Sequence, residues 1–180
     1  MGILIAIVCV VLFILLIFFI STSNKINRTI VKIDEAKSGI DVALTKRYDT
    51  LTKMIDVVKG YAKHEKELIL ETINLRKDMS LKEMNEENKK ISANISKINA
   101  VAEAYPELRS SENYNTLQKS IADVEEHLQA ARRLYNSNAS ILNQMIVSFP
   151  TSVVASAKGV KKADFFEADE AKKEDVKIDL

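Results

Sequence analysis

The chain has 180 residues, with 26 basic and 25 acidic side chains and a formal charge of +1, which gives no reason to expect a nucleic-acid partner. Glycine (4) and proline (2) are scarce, which argues against strand-and-turn folds and for long helices. The lone Cys9 excludes an internal disulfide and any zinc-finger spacing, and the abundance of Lys, Asn and Ile hints at an AT-rich bacterial genome.

The first predicted element is an apolar run from Ile3 to Ile20 without a polar break. At ~1.5 Å per residue it spans about 27 Å, close to the hydrocarbon thickness of a bilayer. A cleaved signal peptide fits poorly, because no Lys or Arg precedes the run and it exceeds an ordinary h-region, although Ser21-Thr22-Ser23 could pass as a cleavage site. Val8 before Cys9 argues against a lipoprotein signal, and Ala6 against N-myristoylation. Lys25, Arg28 and Lys32 follow the run, so the positive-inside rule expects a single-pass anchor with the N-terminus outside and the remainder in the cytoplasm.

A first long helix is expected over 24–60, capped by Ser23 or Asn24. Its seam reads Ile26, Ile30, Ile33, Lys37, Ile40, Leu44, Arg47, Leu51, Met54, Val58, Tyr61, one stripe at 4-3 spacing. The stripe continues through Glu65, Leu68, Thr72, Leu75 and Met79, so Gly60 is either a kink in one helix or a joint between two. The polar cluster Lys63 to Lys66 favours a local break. Ser80-Leu81-Lys82-Glu83 reads as a capping box opening a third helix, with Ile91, Ile95, Ile98, Ala102 and Tyr105 on its stripe, stopped by Pro106. Ser110 and Ser111 offer the next cap. The fourth helix carries Tyr114, Leu117, Ile121, Val124, Leu128, Ala131, Tyr135, Asn138, Leu142, Met145 and Phe149, and Pro150 ends it. Together these predict an all-α fold, an antiparallel four-helix up-and-down bundle behind a single N-terminal transmembrane helix. The expected division is an anchor at 1–22, the bundle at 23–150 and a tail at 151–180. The paired Phe165-Phe166 are expected to dock the tail on the bundle, with the charged run from Glu167 onward solvated.

Little in the sequence points to chemistry. His64-Glu65 begins like a zincin motif, but Leu68 stands where the second histidine belongs. Tyr61 precedes His64 and Val124 precedes His127 at the spacing where a di-iron bundle needs Glu. The glycines are isolated, so no phosphate loop exists, and no nucleophile sits in a recognisable turn. The protein is therefore expected to be no enzyme and to hold no metal or cofactor. The polar interruptions of the seams are Lys37, Arg47 and Asn138. Arg47 and Lys37 either snorkel at the seam edge, set a register as buried polar groups, or line a ligand or partner site, with Glu103 a candidate partner for Arg47. Tyr61, His64, Tyr105 and Pro106 are candidates for a partner site at one end of the bundle, though Tyr105 could be plain core.

The residues also carry a family resemblance. Ile40-Asp41-Val42-x-Leu44 with Lys46-Arg47-Tyr48-Asp49, the run Val57-Val58-Lys59-Gly60-Tyr61-Ala62-Lys63-His64-Glu65, the run Ala100 to Leu108 (AVAEAYPEL), Ala131-Arg132-Arg133-x-Tyr135-Asn136, Phe149-Pro150 and Phe166-Glu167-Ala168 together resemble the LemA family. Thr52 stands where the family has a proline, and Lys37 where it has a tryptophan. The resemblance implies a single N-terminal transmembrane helix, a cytoplasmic helical bundle in a bacterial cell membrane, and no established reaction. The function expected is a non-catalytic membrane-anchored scaffold or interaction module with a protein partner. The alternative is a ligand-sensing module that uses the polar seam residues.

Overall fold

The computed structural model describes residues 1–61 and 70–166, and every regular element among them is helical. These are α1 (Gly2–Tyr61), α2 (Leu81–Ala104), α3 (Pro106–Ser110), α4 (Glu112–Val147) and α5 (Thr151–Ala157). The described residues divide into two compact units, 1–37 with 133–165, and 38–61 and 70–132 with Phe166.

α1 needs no cap at Ser23 or Asn24, because it runs without interruption from Gly2. Nothing between Ile20 and Ile26 breaks a helix. The polar residues there are single and short, with no proline or glycine. Every residue from 1 to 20 is exposed except the half-buried Phe18. A helix this apolar that nothing in the protein covers is the pattern of a bilayer span rather than of a core helix.

In the first unit α1 buries Thr22, Ile26, Thr29, Ile33 and Ala36. The seam therefore passes through Thr29 and Ala36 where the sequence pattern selected Ile30 and Lys37, which are half-buried beside it. Small residues at these positions let the facing helix approach closely. Thr29 satisfies its hydroxyl on its own helix, donating to the Lys25 carbonyl at 2.9 Å. α4 supplies Tyr135, Asn138, Ala139, Leu142 and Met145. The Asn138 amide donates to the Lys32 carbonyl (3.3 Å) and Met145 Sδ lies 4.0 Å from the Thr29 hydroxyl. α4 thus runs back toward the N-terminal end of α1. After α5, the chain is held by Asn143, which bonds both the N–H and the carbonyl of Ala163 at 2.9 Å, and by Tyr135, whose hydroxyl donates to the Asp164 carbonyl at 3.1 Å. Burial pushes the Tyr135 hydroxyl up from its ordinary pKa, with Asp164 and Asp34 adding to it.

In the second unit the core joins α1 (Leu51, Met54, Val58), α2 (Ile91, Ile95, Ile98, Ala102), Leu108 of α3 and Tyr114 and Ile121 of α4. α2 opens on the expected capping box. Ser80 accepts from the Glu83 N–H (3.3 Å) and the Glu83 carboxylate accepts from the Ser80 N–H (2.8 Å), which holds that carboxyl below its usual range. Pro106 ends α2 and also begins α3 at a position where its missing N–H costs nothing. Ser111 caps α4, accepting from the Tyr114 N–H at 3.3 Å.

One expectation changes here. Gly60 is still helical, and α1 is described to Tyr61; the 62–69 half of the expected second helix lies outside the described residues. Its other half, 70–80, is not helical but a loop with a turn at Lys77-Asp78, where Asp78 takes φ 62°. Among the described residues the long helices are α1, α2 and α4. The reason that 70–80 is a loop lies on α2. Asn94 accepts from the Glu71 N–H (2.8 Å) and donates to the Glu71 carbonyl (2.9 Å), imitating a strand partner. Glu87 accepts from the Asn74 N–H at 2.8 Å. These side chains supply the backbone partners that a helix would have supplied itself. Burial works to raise the Glu87 carboxyl, but the Lys90 ammonium at 2.7 Å and the Asn74 N–H outweigh it and hold the group below the ordinary value. Asn94→Ala should cost about 1 kcal/mol, the net value of such bonds at a loop that water can reach. Amide exchange at Glu71 should accelerate while the α2 amides keep their protection; unchanged exchange at Glu71 would show that the loop is held by other contacts.

Candidate functional site

The second unit holds two polar constellations in α-helical surroundings. The first is built on Arg47, which the 4-3 spacing of α1 forces onto the core seam between Leu44 and Leu51. Arg47 is buried at 6 % exposure, so it does not snorkel. Its Nη1 donates to the Asn88 Oδ1 of α2, and its Nη2 lies 3.0 Å from Glu125 Oε2 of α4. The arginine therefore ties three helices together with one planar fork. Glu103 does not take part: it is exposed near the end of α2, about four turns beyond Asn88. The actual partners were legible in part. Extending the Ile91–Ile95 stripe back by three and by four residues reaches Asn88, Glu87 and Met84, all buried. Glu125 flanks Val124 on α4 and gave no periodic signal of its own.

The second constellation is an open cleft of ≈ 330 Å³ where α2, α3 and α4 meet, lined by Asn99, Glu103, Arg109, Tyr114 and Gln118. Tyr114 donates to Asn99 Oδ1 at 2.9 Å, and the Gln118 amide reaches both Asn99 Oδ1 (2.5 Å) and the Tyr114 hydroxyl (2.7 Å). Burial pushes the Tyr114 hydroxyl up, so it stays protonated and serves as a donor across the neutral range.

The other expected site residues are placed as follows. Tyr105 packs half-buried against the core, and Pro106 is exposed at the α2–α3 turn. Tyr61, one turn past the core residue Val58, is 46 % exposed. His64 lies outside the described residues. His127 is exposed on α4. Among the described residues no group of three His, Cys, Asp or Glu side chains is placed to hold a metal ion. Sequence reasoning did not single out Arg132, whose guanidinium lies 4.4 Å above the buried Phe166 ring, a cation–π contact that fixes the first residue of the tail beyond 165. Phe165 beside it is half-exposed.

A buried arginine with two side-chain partners sets a clear expectation. Arg47→Leu should lower the melting temperature of the full chain in detergent, because Asn88 loses its donor and Glu125 its counter-charge. The loss should be about 2 kcal/mol, below the usual cost of breaking a buried pair, since the Glu125 side chain at 29 % exposure can turn to water. Replacing Arg47, Asn88 and Glu125 together by Leu should recover most of it. A single Arg47→Leu change that stabilises the protein would refute the pairing.

Comparison with known proteins agrees with these elements. The LemA family model matches residues 36–180. Protein LemA of Metamycoplasma hominis is 28 % identical over 163 residues, covering 88 % of this chain and 74 % of the relative. The magnetosome protein MamQ 2 of Paramagnetospirillum magneticum is 30 % identical over 73 residues, 41 % of this chain and 27 % of that protein. Magnetosome protein MamQ of Magnetospirillum gryphiswaldense is 26 % identical over 72 residues, 40 % of this chain and 26 % of that protein. With a family model matching residues 36–180, the chain belongs to the LemA family.

Proposed function

We propose that the protein is a non-catalytic interaction module held at the cytoplasmic face of a bacterial cell membrane. Residues 1–22 serve as its anchor, 23–150 as the helical body and 151–180 as a tail docked on that body. The observation that carries the reading is the exposed surface of the second unit. Tyr61 at the end of α1 and Pro106 at the α2–α3 turn are open to solvent, and Glu103 lines a polar cleft, so this unit offers aromatic and charged side chains suited to a protein partner. The cations Lys25, Arg28 and Lys32 directly after the span support the cytoplasmic side.

Ligand sensing is the second reading. Arg47 is engaged with Asn88 and Glu125, so the cleft with Glu103 and Arg109 is the better place for a small polar ligand. A thermal shift with a metabolite that disappears in Arg109→Ala would favour it over the protein partner.

A photo-crosslinking amino acid at Tyr61, Glu103 or Pro106, in native membranes, should capture the same protein from all three positions and not from Lys119 on α4. In Cys9→Ala cells, a lone cysteine at Ser137 should react with a membrane-impermeant maleimide only after lysis. Labelling of intact cells would place the body outside and overturn the cytoplasmic assignment.

A further inference from the structure

The turn between α4 and α5 exposes Phe149, which the sequence pattern had placed in a seam, together with Val147 and Val153. α4 ends at Val147, so Phe149 leaves the stripe and stands 84 % exposed, with Val147 and Val153 near 60 %. Thr151 fastens this turn, donating to the Met145 and Ser148 carbonyls at 2.8 and 2.9 Å, while Val154 and Ala155 of α5 are buried. The exposed side chains therefore belong to a fixed turn.

Its position within the first unit is set by three contacts. Along α4 the partner on α1 moves from Lys32 at Asn138 back to Thr29 at Met145. Lys158, after α5, donates to the Ser23 hydroxyl (2.8 Å) and to the Asn27 side-chain Oδ1 (2.7 Å). Phe149, about one helical turn past Met145, then falls about level with Lys25, or ~7.5 Å beyond Ile20 along the α1 axis. The headgroup layer extends roughly 5–8 Å beyond each side of the hydrocarbon core. The turn thus stands where lipid headgroups begin, if Ile3 to Ile20 fill the core.

Charge points the same way. Residues 20–32 and 147–163 carry Lys25, Arg28, Lys32, Lys158, Lys161 and Lys162 and not one Asp or Glu. An exposed phenylalanine with exposed valines, in segments that carry cations and no acids, matches an interfacial lipid contact, where rings and aliphatic groups enter the headgroup boundary and Lys and Arg meet anionic phosphates.

We propose that the α4–α5 turn is a second, peripheral membrane contact: Phe149, Val147 and Val153 insert into the headgroup boundary of the same anionic bilayer that holds α1, and Lys161 and Lys162 bind its lipid phosphates. The anchor would then be two-point, which fixes the tilt and rotation of the first unit on the membrane. The proposal does not depend on the identity of any protein partner.

The test uses the full chain with Cys9→Ala, reconstituted in vesicles of phosphatidylcholine with phosphatidylglycerol. A fluorescent probe is placed at Ser148→Cys, or at Ser137→Cys as the reference on the same helix. Lipids carrying a nitroxide high on the acyl chain should quench the Ser148 probe about threefold more than the Ser137 probe. Phe149→Asp with Val153→Asp should abolish that difference without changing the helical circular dichroism. Lys161→Glu with Lys162→Glu should reduce it in vesicles with phosphatidylglycerol and leave it unchanged in pure phosphatidylcholine. Equal, weak quenching at both probes would overturn the proposal and leave the face to a protein or a second copy. Strong quenching that survives the Phe149→Asp and Val153→Asp changes would overturn it as well, by showing nearness without insertion.

Discussion

α1 must satisfy two solvents with one unbroken set of backbone hydrogen bonds. Through Ile20 it is apolar on every side and nothing in the protein covers it. Beyond Thr22 only one stripe is apolar, and the other elements exist to cover that stripe. Lipid forces the continuity. A break at the membrane boundary would leave carbonyls and N–H groups without partners where water is scarce, whereas a helix carries its own. The small seam residues Thr22, Thr29, Ala36 and Ala43 follow from the same demand, because α1 cannot bend away from its neighbours and they must come close instead.

The core of the second unit is less oily than its isoleucines suggest. Arg47, Glu87, Asn88 and Asn94 are all buried, and each has a defined task. Glu87 and Asn94 replace the missing partners of loop 70–80, and Arg47 bonds Asn88 while pairing with Glu125. Such groups are poor sources of net stability, since desolvation takes back most of the attraction. What they add is selection among alternatives. A helix α2 slipped by one turn would leave the guanidinium facing Ile91 or Met84, and that error is far more costly than a misplaced methyl group. Arg47 and Arg132 are engaged inside the second unit, whereas Glu103 and Arg109 line a cleft open to solvent.

Much of this was legible in the residues. The apolar run, the capping box at Ser80, the stop at Pro106 and the seam of α4 all rest on local chemistry, and local chemistry is what a sequence displays. The errors share a cause. Loop 70–80 carries a helical stripe, Thr72, Leu75 and Met79, yet it is held open by side chains from α2, a tertiary effect that no window of sequence contains. Arg47 was recognised as costly in the seam, but its partner lies 78 positions away on α4 and has no period to betray it. Phe149 fits the 3-4 rule perfectly and still leaves the seam, because the helix ends two residues earlier. Periodicity states where a side chain would point if the helix continued, and is silent on whether it does.

The central claim is that one helix passes from lipid into the body of the protein. A spin-label scan of positions 14–36 in the full chain, in lipid nanodiscs, tests it directly. Collision rates with oxygen should be uniformly high up to Ile20 and then oscillate with the helical period, with minima at 22, 26, 29, 33 and 36 in unbroken phase. Loss of phase across 21–24, or free access of a water-soluble relaxation agent to positions 14–20, would contradict the account.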